Sequence, residues 1–396
     1  MKHSKLLILS IIAVMSFSAC APEDSLQFNY PESGNTGGNT GGNTGGNTGS
    51  TDASNTNKNV ATANMPQVVK NAIGGLEFPK IKGTGKNYVI VHMDGNDITY
   101  STEWDDSKKS QRWSCYTFNT KNSQQNVSGR YNPPAGQRQY PWDTDLKAQW
   151  GVTDFTEDPT PTIQGFDHGH ICPNADRFYN ANQRYQTYYM TNMQPQYSRF
   201  NSGIWGRMEK LVRTYVPKID SDTLFIVKGG TIDTVGDDSN ILGWKKNGAS
   251  SSTQLDGYIP IPEYFFTAIL KKEYNQSTQA YSYKAFGFFF KHVNDAMTDA
   301  NLGDYVVNIK TLEEKTGIDF FCNLPDDVEK QVEEQNVNSI KNIWGFKQNK
   351  SRSFITRERL SSFCPCVVSL QLSIYLIAYS KLKTILSSPI FHYSPL

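Results

Sequence analysis

The chain has 396 residues, 37% of them hydrophobic and 12% aromatic, with 39 Lys and Arg against 38 Asp and Glu for a formal net charge of +1. That balance describes a soluble protein and excludes recognition through a uniformly basic surface; a nucleic-acid enzyme of this charge must gather its positive residues locally. The aromatic content suits a β-containing core of respectable size.

The first 20 residues read as an export signal, in which Lys2 and Lys5 precede the apolar run Leu6 to Val14 and the small residues Ser18 and Ala19 precede Cys20. Phe17-Ser18-Ala19-Cys20 resembles a bacterial lipobox, whose cleavage exposes a lipid-modified cysteine. An ordinary secretory signal cut nearby is the alternative, and both readings place the mature chain outside the cytoplasm. Glu23 and Asp24 resemble export signals that send some lipoproteins to the cell surface, so an outer-membrane or surface anchor through Cys20 is expected. Residues 21–67 then read as a tether: Asn-Thr-Gly-Gly units repeat between Gly34 and Ser50, and glycine with small polar residues buries too little apolar surface to offset its ordering entropy.

From residue 68 to 347 the texture is that of one folded domain. Tyr88 to His92 and Ile98 to Thr102 flank Asp94-Gly95, a hairpin pattern. Trp113 to Phe118, Thr223 to Val227 and Ala285 to Phe290 read as further strands, the last apolar enough for a central one. Asn201 to Val216 and Pro325 to Ile340 read as helices. Strands and helices do not alternate regularly, so the expected class is α+β. Cys115, Cys172 and Cys322 permit at most one disulfide within the domain. In the tail, residues 348–396, the apolar stretch Val367 to Tyr379 falls short of the roughly 20 residues a membrane helix needs, and the tail receives no role.

Chemistry concentrates in Gly165-Phe166-Asp167-His168-Gly169-His170-Ile171-Cys172-Pro173, Thr191-Asn192-Met193-Gln194-Pro195-Gln196 and the trio Asn201, Trp205, Glu209. Gly169 suggests a tight turn that presents His170, and histidine titrates close enough to neutrality to take a proton from water. If residues 201–209 are helical, Asn201 and Glu209 lie along one side; an amide oxygen and a carboxylate are hard donors suited to magnesium, which binds few protein ligands and keeps several waters. Arg199, Arg207, Lys210 and Arg213 give the same segment a local positive excess that attracts phosphate. His168, His170 and Cys172 offer an alternative zinc set, without an evident fourth ligand.

The ordered motifs Phe-Asp-x-Gly-His-x-x-Pro-x-Ala-Asp, Thr-Asn-x-x-Pro-Gln and Asn-x-x-x-Trp-x-x-x-Glu resemble the DNA/RNA non-specific endonucleases of the ββα-metal fold. The likeness runs over most of Tyr88 to Pro325 and includes a closing Thr316-Gly317-Ile318-Asp319-Phe320-Phe321. It implies a central, mostly antiparallel sheet flanked by helices. His170 becomes the general base, Asn201 the ligand of magnesium (or of manganese in its place) and Glu209 the organiser of the metal's waters. Asn192 positions the histidine or the substrate, and Asp167 braces the turn and its neighbours. The implied reaction is in-line attack of water on phosphorus in DNA or RNA, with 5′-phosphate ends and contacts to the backbone instead of the bases. One position departs from the pattern: His168 stands where the family carries an arginine thought to engage the phosphate, with Arg177 and Arg199 as substitutes. That departure leaves a catalytically weak or inactive nucleic-acid-binding lipoprotein as the second reading.

Overall fold

The computed structural model describes residues 54–154, 166–246 and 249–346 together with the backbone of residues 27–28. The export signal, the lipobox, the glycine-rich repeats and the 348–396 tail lie outside the described residues, among which no helix is long and apolar enough to cross a membrane.

An antiparallel sheet carries the domain. Its path runs β1 (Gln27–Phe28), β12 (Ala280–Lys291), β11 (Tyr264–Asn275), β7 (Thr223–Gly230), β4 (Ser110–Phe118), β3 (Asp97–Asp105) and β2 (Asn87–Asp94), and β13 (Val306–Val307) also pairs β12. The expected hairpin is present as β2 and β3, in register from Asn87↔Asp105 to Asp94↔Asp97. Two smaller units flank the sheet: β8 (Ile241–Lys246), β9 (Ala249–Ser251) and β10 (Ile259–Pro262), and the hairpin of β5 (Phe166–His170) with β6 (Met193–Tyr197).

Both faces of the sheet are buried, and the side-chain period of two sorts residues between them. On β7, Leu224 and Ile226 point to one core while Phe225 and Val227 point to the other. The first core is closed by α1 (Gln67–Ala72), α6 (Ile309–Thr316) and α7 (Asp326–Glu333), whose Val69, Leu312 and Val332 are fully buried. The second is closed by α4 (Ser198–Phe200), α5 (Gly206–Arg213) and α8 (Val337–Ile343), through Phe200, Trp205, Met208, Val212 and Ile340. At one edge α2 (Thr144–Trp150) packs Leu146 against Ile90 and Trp104, and α3 (Ala181–Gln186) leads into β6. The class is α+β, an antiparallel sheet between helical layers.

Three expectations need correction. β12 is apolar because both faces are covered, yet it sits near the sheet's end: beyond it pair only the two-residue strands β1 and β13, and the middle place belongs to β7. The helix expected over 325–340 is two helices, because the Asn336 side chain accepts the Asn338 N–H (2.9 Å) and starts α8 afresh. Residues 54–66, read from composition as the end of the tether, are docked. Ser54 and Thr56 bond Asp326, and the Asn59 N–H donates to Asn323 Oδ1 (3.0 Å). Asn59 itself is buried, with Nδ2 donating to the Pro79 carbonyl (3.0 Å) and Oδ1 accepting the Ile81 N–H (3.1 Å). Side-chain amides here do what apolar burial does elsewhere.

A docked segment and a free tether respond differently to mutation. Asn59→Ala strands two backbone groups and should lower unfolding stability by about 1–3 kcal/mol in a urea titration; a free tether predicts no change.

Candidate active site

The two histidines of the Asp-His-Gly-His run lie on β5, paired in register with β6 so that His168 faces Pro195 and His170 faces Met193. The tight turn expected at Gly169 is therefore absent: the segment is a strand. Glycine is required for another reason. A Cβ at 169 would stand 2.4 Å from the Gln196 side chain, far inside van der Waals contact, so only a bare backbone admits that side chain. Gln196 is fully buried there, and both its amide atoms lack a hydrogen-bond partner.

A cavity of about 440 Å³ opens beside the hairpin, lined by Arg130, Tyr140, Phe166, Asp167, His168, His170 and Asn201. Four of the residues singled out in the sequence thus converge: Asp167, His168, His170 and Asn201. Asp167 ties them together, accepting from Ser198 Oγ on α4 (2.7 Å) and from Asn201 Nδ2 (3.0 Å). Holding the amide hydrogens of Asn201 in this way leaves its Oδ1 as the acceptor. An amide oxygen beside a carboxylate is a hard donor set, and it fits a divalent cation that keeps most of its waters.

His170 is electrically neutral near pH 7. Burial pushes its pKa down to about 4, the neighbouring His168 and Arg130 act in the same direction, and a ring hydrogen bond to the His168 backbone opposes them. Its Nε2 is buried and lacks a hydrogen-bond partner, so the ring presents an unsatisfied nitrogen at the site. Tyr188 packs edge-on against it with ring centroids 5.0 Å apart.

Asn192 takes part only indirectly. It is fully buried: Oδ1 accepts the Cys172 N–H (2.8 Å), and Nδ2 donates to the carbonyls of Cys172 (2.9 Å) and Thr187 (2.8 Å). Those bonds fix the chain two residues beyond His170, and Asn192 does not line the cavity. Glu209 does not line it either. Its Oε1 accepts from Lys228 Nζ (3.2 Å), a fully buried ammonium that also lies over the Trp205 ring. Burial raises the Glu209 pKa and Lys228 works against that rise.

The helical reading of 201–209 fails in its first half. Asn201–Trp205 is a π-turn with Gly203 outside helical geometry (φ −89°, ψ −113°), and regular helix resumes at Gly206. Gly203 meets the Ala296 backbone so closely that a Cβ would lie 2.3 Å from the Ala296 carbonyl oxygen. The wound turn lets a close backbone approach and the Asn201 side chain coexist. Trp205 points into the second core, as a tryptophan at this spacing ordinarily does.

Much of the basic run is structural. Arg207 donates to the carbonyls of Met297, Thr298 and Ala300, and Arg213 pairs Asp176 (2.7 Å). Arg177 is buried, donating to the carbonyls of Thr99, Asp176 and Thr117, so it is no substitute for the family arginine; Arg199 and Lys210 remain exposed. The zinc alternative also fails to assemble: Cys172 is buried in the second core and, like Cys115 and Cys322, is a free thiol. Among the described residues, His, Cys and carboxylate groups reach ligand spacing at His92, Asp143 and Asp145 and at Glu313, Asp319 and Glu333, and neither set lines the cavity.

Three contributors carry no sequence motif. Tyr140 stacks on His168 with centroids 3.5 Å apart, and Arg130 donates to the Tyr140 hydroxyl (2.7 Å), so a guanidinium reaches the cavity from a segment 40 residues or so before His170. His292, buried, accepts the Tyr197 N–H at Nε2 (2.8 Å) and bonds the Pro262 carbonyl through Nδ1 (2.9 Å), which anchors the junction of β6 and α4. A Pro-Pro-Ala-Gly stretch before Arg138 gives no local signal that Arg130 and Tyr140 would meet the histidines.

Gly169→Ala tests the packing of the hairpin. The added methyl should displace Gln196, shift β5 and reduce catalytic turnover by about tenfold or more, whereas a turn-forming glycine without a positive φ would tolerate alanine.

The chain is similar to known proteins. The profile of the DNA/RNA non-specific endonuclease family matches residues 82–327, more than half of the chain. A Nostoc protein described as a nuclease is 25% identical over 256 residues, covering 64% of this chain and 80% of that one. Human mitochondrial nuclease EXOG is 24% identical over 163 residues, 40% of this chain and 41% of its own length. Nuclease C1 of Cunninghamella echinulata is 27% identical over 182 residues, 43% of this chain and 67% of that one. A chain of the solved EndoG/EndoGI complex aligns over 60% of this chain and 88% of its own at 15% identity and a TM-score of 0.44. The paired strands β5 and β6 followed by the α4–α5 segment form a ββα unit with Asp167, His168, His170 and Asn201 at one cavity, and the family match over residues 82–327 shows that the chain belongs to the DNA/RNA non-specific endonuclease family, a family of metal-dependent nucleases.

Proposed function

We propose that the chain is a magnesium-dependent endonuclease that hydrolyses DNA and RNA through backbone contacts, with His170 as general base and 5′-phosphate products. One observation carries this reading: a neutral histidine with an unsatisfied ring nitrogen shares a cavity with an amide oxygen set to face a cation. Asn201 would hold the ion, and Glu209, fixed by Lys228, is the carboxylate on the same segment that would order its waters. When bound, magnesium (or manganese) supplies positive charge to the phosphate and to the departing 3′-oxygen. His170 accepts the proton of the attacking water at Nε2, and its bond to the His168 backbone holds the ring in place. Arg130 supplies the fixed charge that His168 lacks, while the His168–Tyr140 stack gives the cavity a flat wall.

The same proposal extends to location. The pattern from Lys2 to Cys20 supports an extracytoplasmic protein held at a membrane by lipid on Cys20, with the glycine-rich repeat as spacer for the 68–347 domain.

Digestion of plasmid DNA and of RNA tests the chemistry. Activity should require magnesium, stop with EDTA, and fall by about 10²–10⁴-fold in His170→Ala; an undiminished rate in that variant would remove His170 as the base. End-labelling of the products should find 5′-phosphates. The base works only when unprotonated, and a pKa near 4 keeps it so across the range below neutrality. The rate should therefore persist to about pH 5 and fall as pH drops through 4. An acid limb centred on the ordinary histidine value would contradict the buried environment.

Arg130→Ala should lower kcat/KM by about 10²-fold on both DNA and RNA and flatten the dependence on salt. Unchanged kinetics in this variant would place the phosphate contact elsewhere.

A further inference from the structure

Between β4 and α2 the chain runs from Asn119 to Trp142 without a strand or helix, and that stretch contains no Asp or Glu. Loops of such length inside a compact domain are uncommon and mostly functional. This one is tied down. The N–H groups of Asn126 and Val127 donate to the Phe178 carbonyl (2.9 and 3.1 Å), and the Met190 N–H donates to the Pro141 carbonyl (3.0 Å). Arg184 donates to the Ser128 carbonyl (2.6 Å). Between these anchors residues 130–140 make a closed excursion. Gly136, at φ +84°, turns its tip, and its limbs meet where Gln139 Nε2 donates to the Tyr131 carbonyl (2.8 Å) and Arg130 to the Tyr140 hydroxyl (2.7 Å).

The returning limb carries flat groups at every second position: Arg138, Tyr140 and Trp142. The Arg138 guanidinium lies 4.8 Å from the centroid of the Trp142 ring, and His168 backs Tyr140 with planes 12° apart. Arg130 and Arg138 are exposed, whereas Tyr140, Trp142 and His168 are half-buried. Tyr140, His168 and Phe166 also line the nuclease cavity. A pocket that grips only a phosphate needs charge and polar donors; aromatic rings at its wall suit the flat face of a base.

We propose that Tyr140, backed by His168, forms with Trp142 and Arg138 a stacking platform for unpaired bases, so that the chain prefers single-stranded nucleic acid to duplex. The platform's place beside the scissile phosphate rests on the nuclease reading of the cavity. Stacking on aromatic rings and guanidinium planes is tolerant of sequence, because every base has a π-face, and it leaves the weak base preference intact. In a duplex both faces of each base are covered by its neighbours, so only a strand whose bases can leave the stack gains from such a wall. Arg130 and Arg138, on a stretch free of carboxylates, attract the phosphates of the same strand.

Fluorescence anisotropy in EDTA, where cleavage is not expected, tests the platform apart from the chemistry. Three labelled probes of equal length are compared at one salt concentration: oligothymidylate, its duplex with oligoadenylate, and a strand of abasic sugar phosphates. The full chain should bind oligothymidylate about tenfold or more tighter than either of the others. Trp142→Leu should cut that preference by about fivefold or more, and Tyr140→Leu provides the same readout should Trp142→Leu fold poorly. Equal affinity for the abasic strand, equal affinity for the duplex, or an undiminished preference in both variants would overturn the platform. Digestion reads the nuclease proposal separately: a single-strand preference without cleavage would support the platform and remove the nuclease reading.

Discussion

The carboxylate of Asp167 is the joint that ties strand to helical segment at the cavity. It sits on β5 between the two arms of the site and accepts one hydrogen bond from α4 and another from the amide of Asn201. Strand and helical segment are thereby locked to each other through one side chain. The arrangement also selects the orientation of the Asn201 amide, because a carboxylate accepts only from the NH₂ end. A carboxylate placed there cannot be traded for an amide without freeing that choice. Behind it, Asn192 fixes the chain after His170 and His292 fixes the chain before α4, so both ends of the ββα unit are pinned by buried polar side chains. Such groups are costly to leave unpaired in a core, and this makes the register of the hairpin strict.

The two-sided sheet separates two kinds of problem. On the face that carries α5 and the hairpin, aromatic packing around Phe200, Trp205, Phe265 and Phe290 forms a rigid floor. Lys228 penetrates this floor from β7 and is tolerated only because Glu209 and the Trp205 ring surround it. On the other face, the closing Thr-Gly-Ile-Asp-Phe-Phe motif plants Phe320 and Phe321 in the core, while Asp319 stays among the acids at its margin. The motif that completes the fold thus also contributes a carboxylate that the nuclease site does not use.

Part of the domain was legible from residue pattern. β2, β3, β4, β7 and β12 were legible because each has a continuous buried run, which leaves a short stretch rich in β-branched and aromatic residues, and the turn at Asp94-Gly95 marked the first two as a hairpin. The motif residues Asp167, His168, His170 and Asn201 were legible through their order and spacing, and the structure does gather them at one cavity. What escaped depends on contacts distant in sequence. Gly169 looked like a turn because the crowding by Gln196 comes from the partner strand. The π-turn at Asn201 arises from the approach of the Ala296 backbone, some 90 residues on, which no helical period encodes. Residues 54–59 looked unstructured because composition measures apolar burial, and their anchors are amide side chains bonded to distant backbone.

His168 now has a physical account that its residue type alone withheld. An arginine in its place would add a permanent charge beside His170, and His168 and Arg130 already act to hold the His170 pKa down. Substituting a ring that can be neutral moves the fixed charge outward to Arg130, held by the Tyr140 hydroxyl at the rim of the same cavity. The ring of His168 is occupied by stacking, with its plane 12° from that of Tyr140. In the proposed mechanism the Arg130 guanidinium would face the phosphate from the lining of that cavity. Arg130 and His168 both act to hold the His170 pKa down, so positive charge at this cavity favours the unprotonated ring.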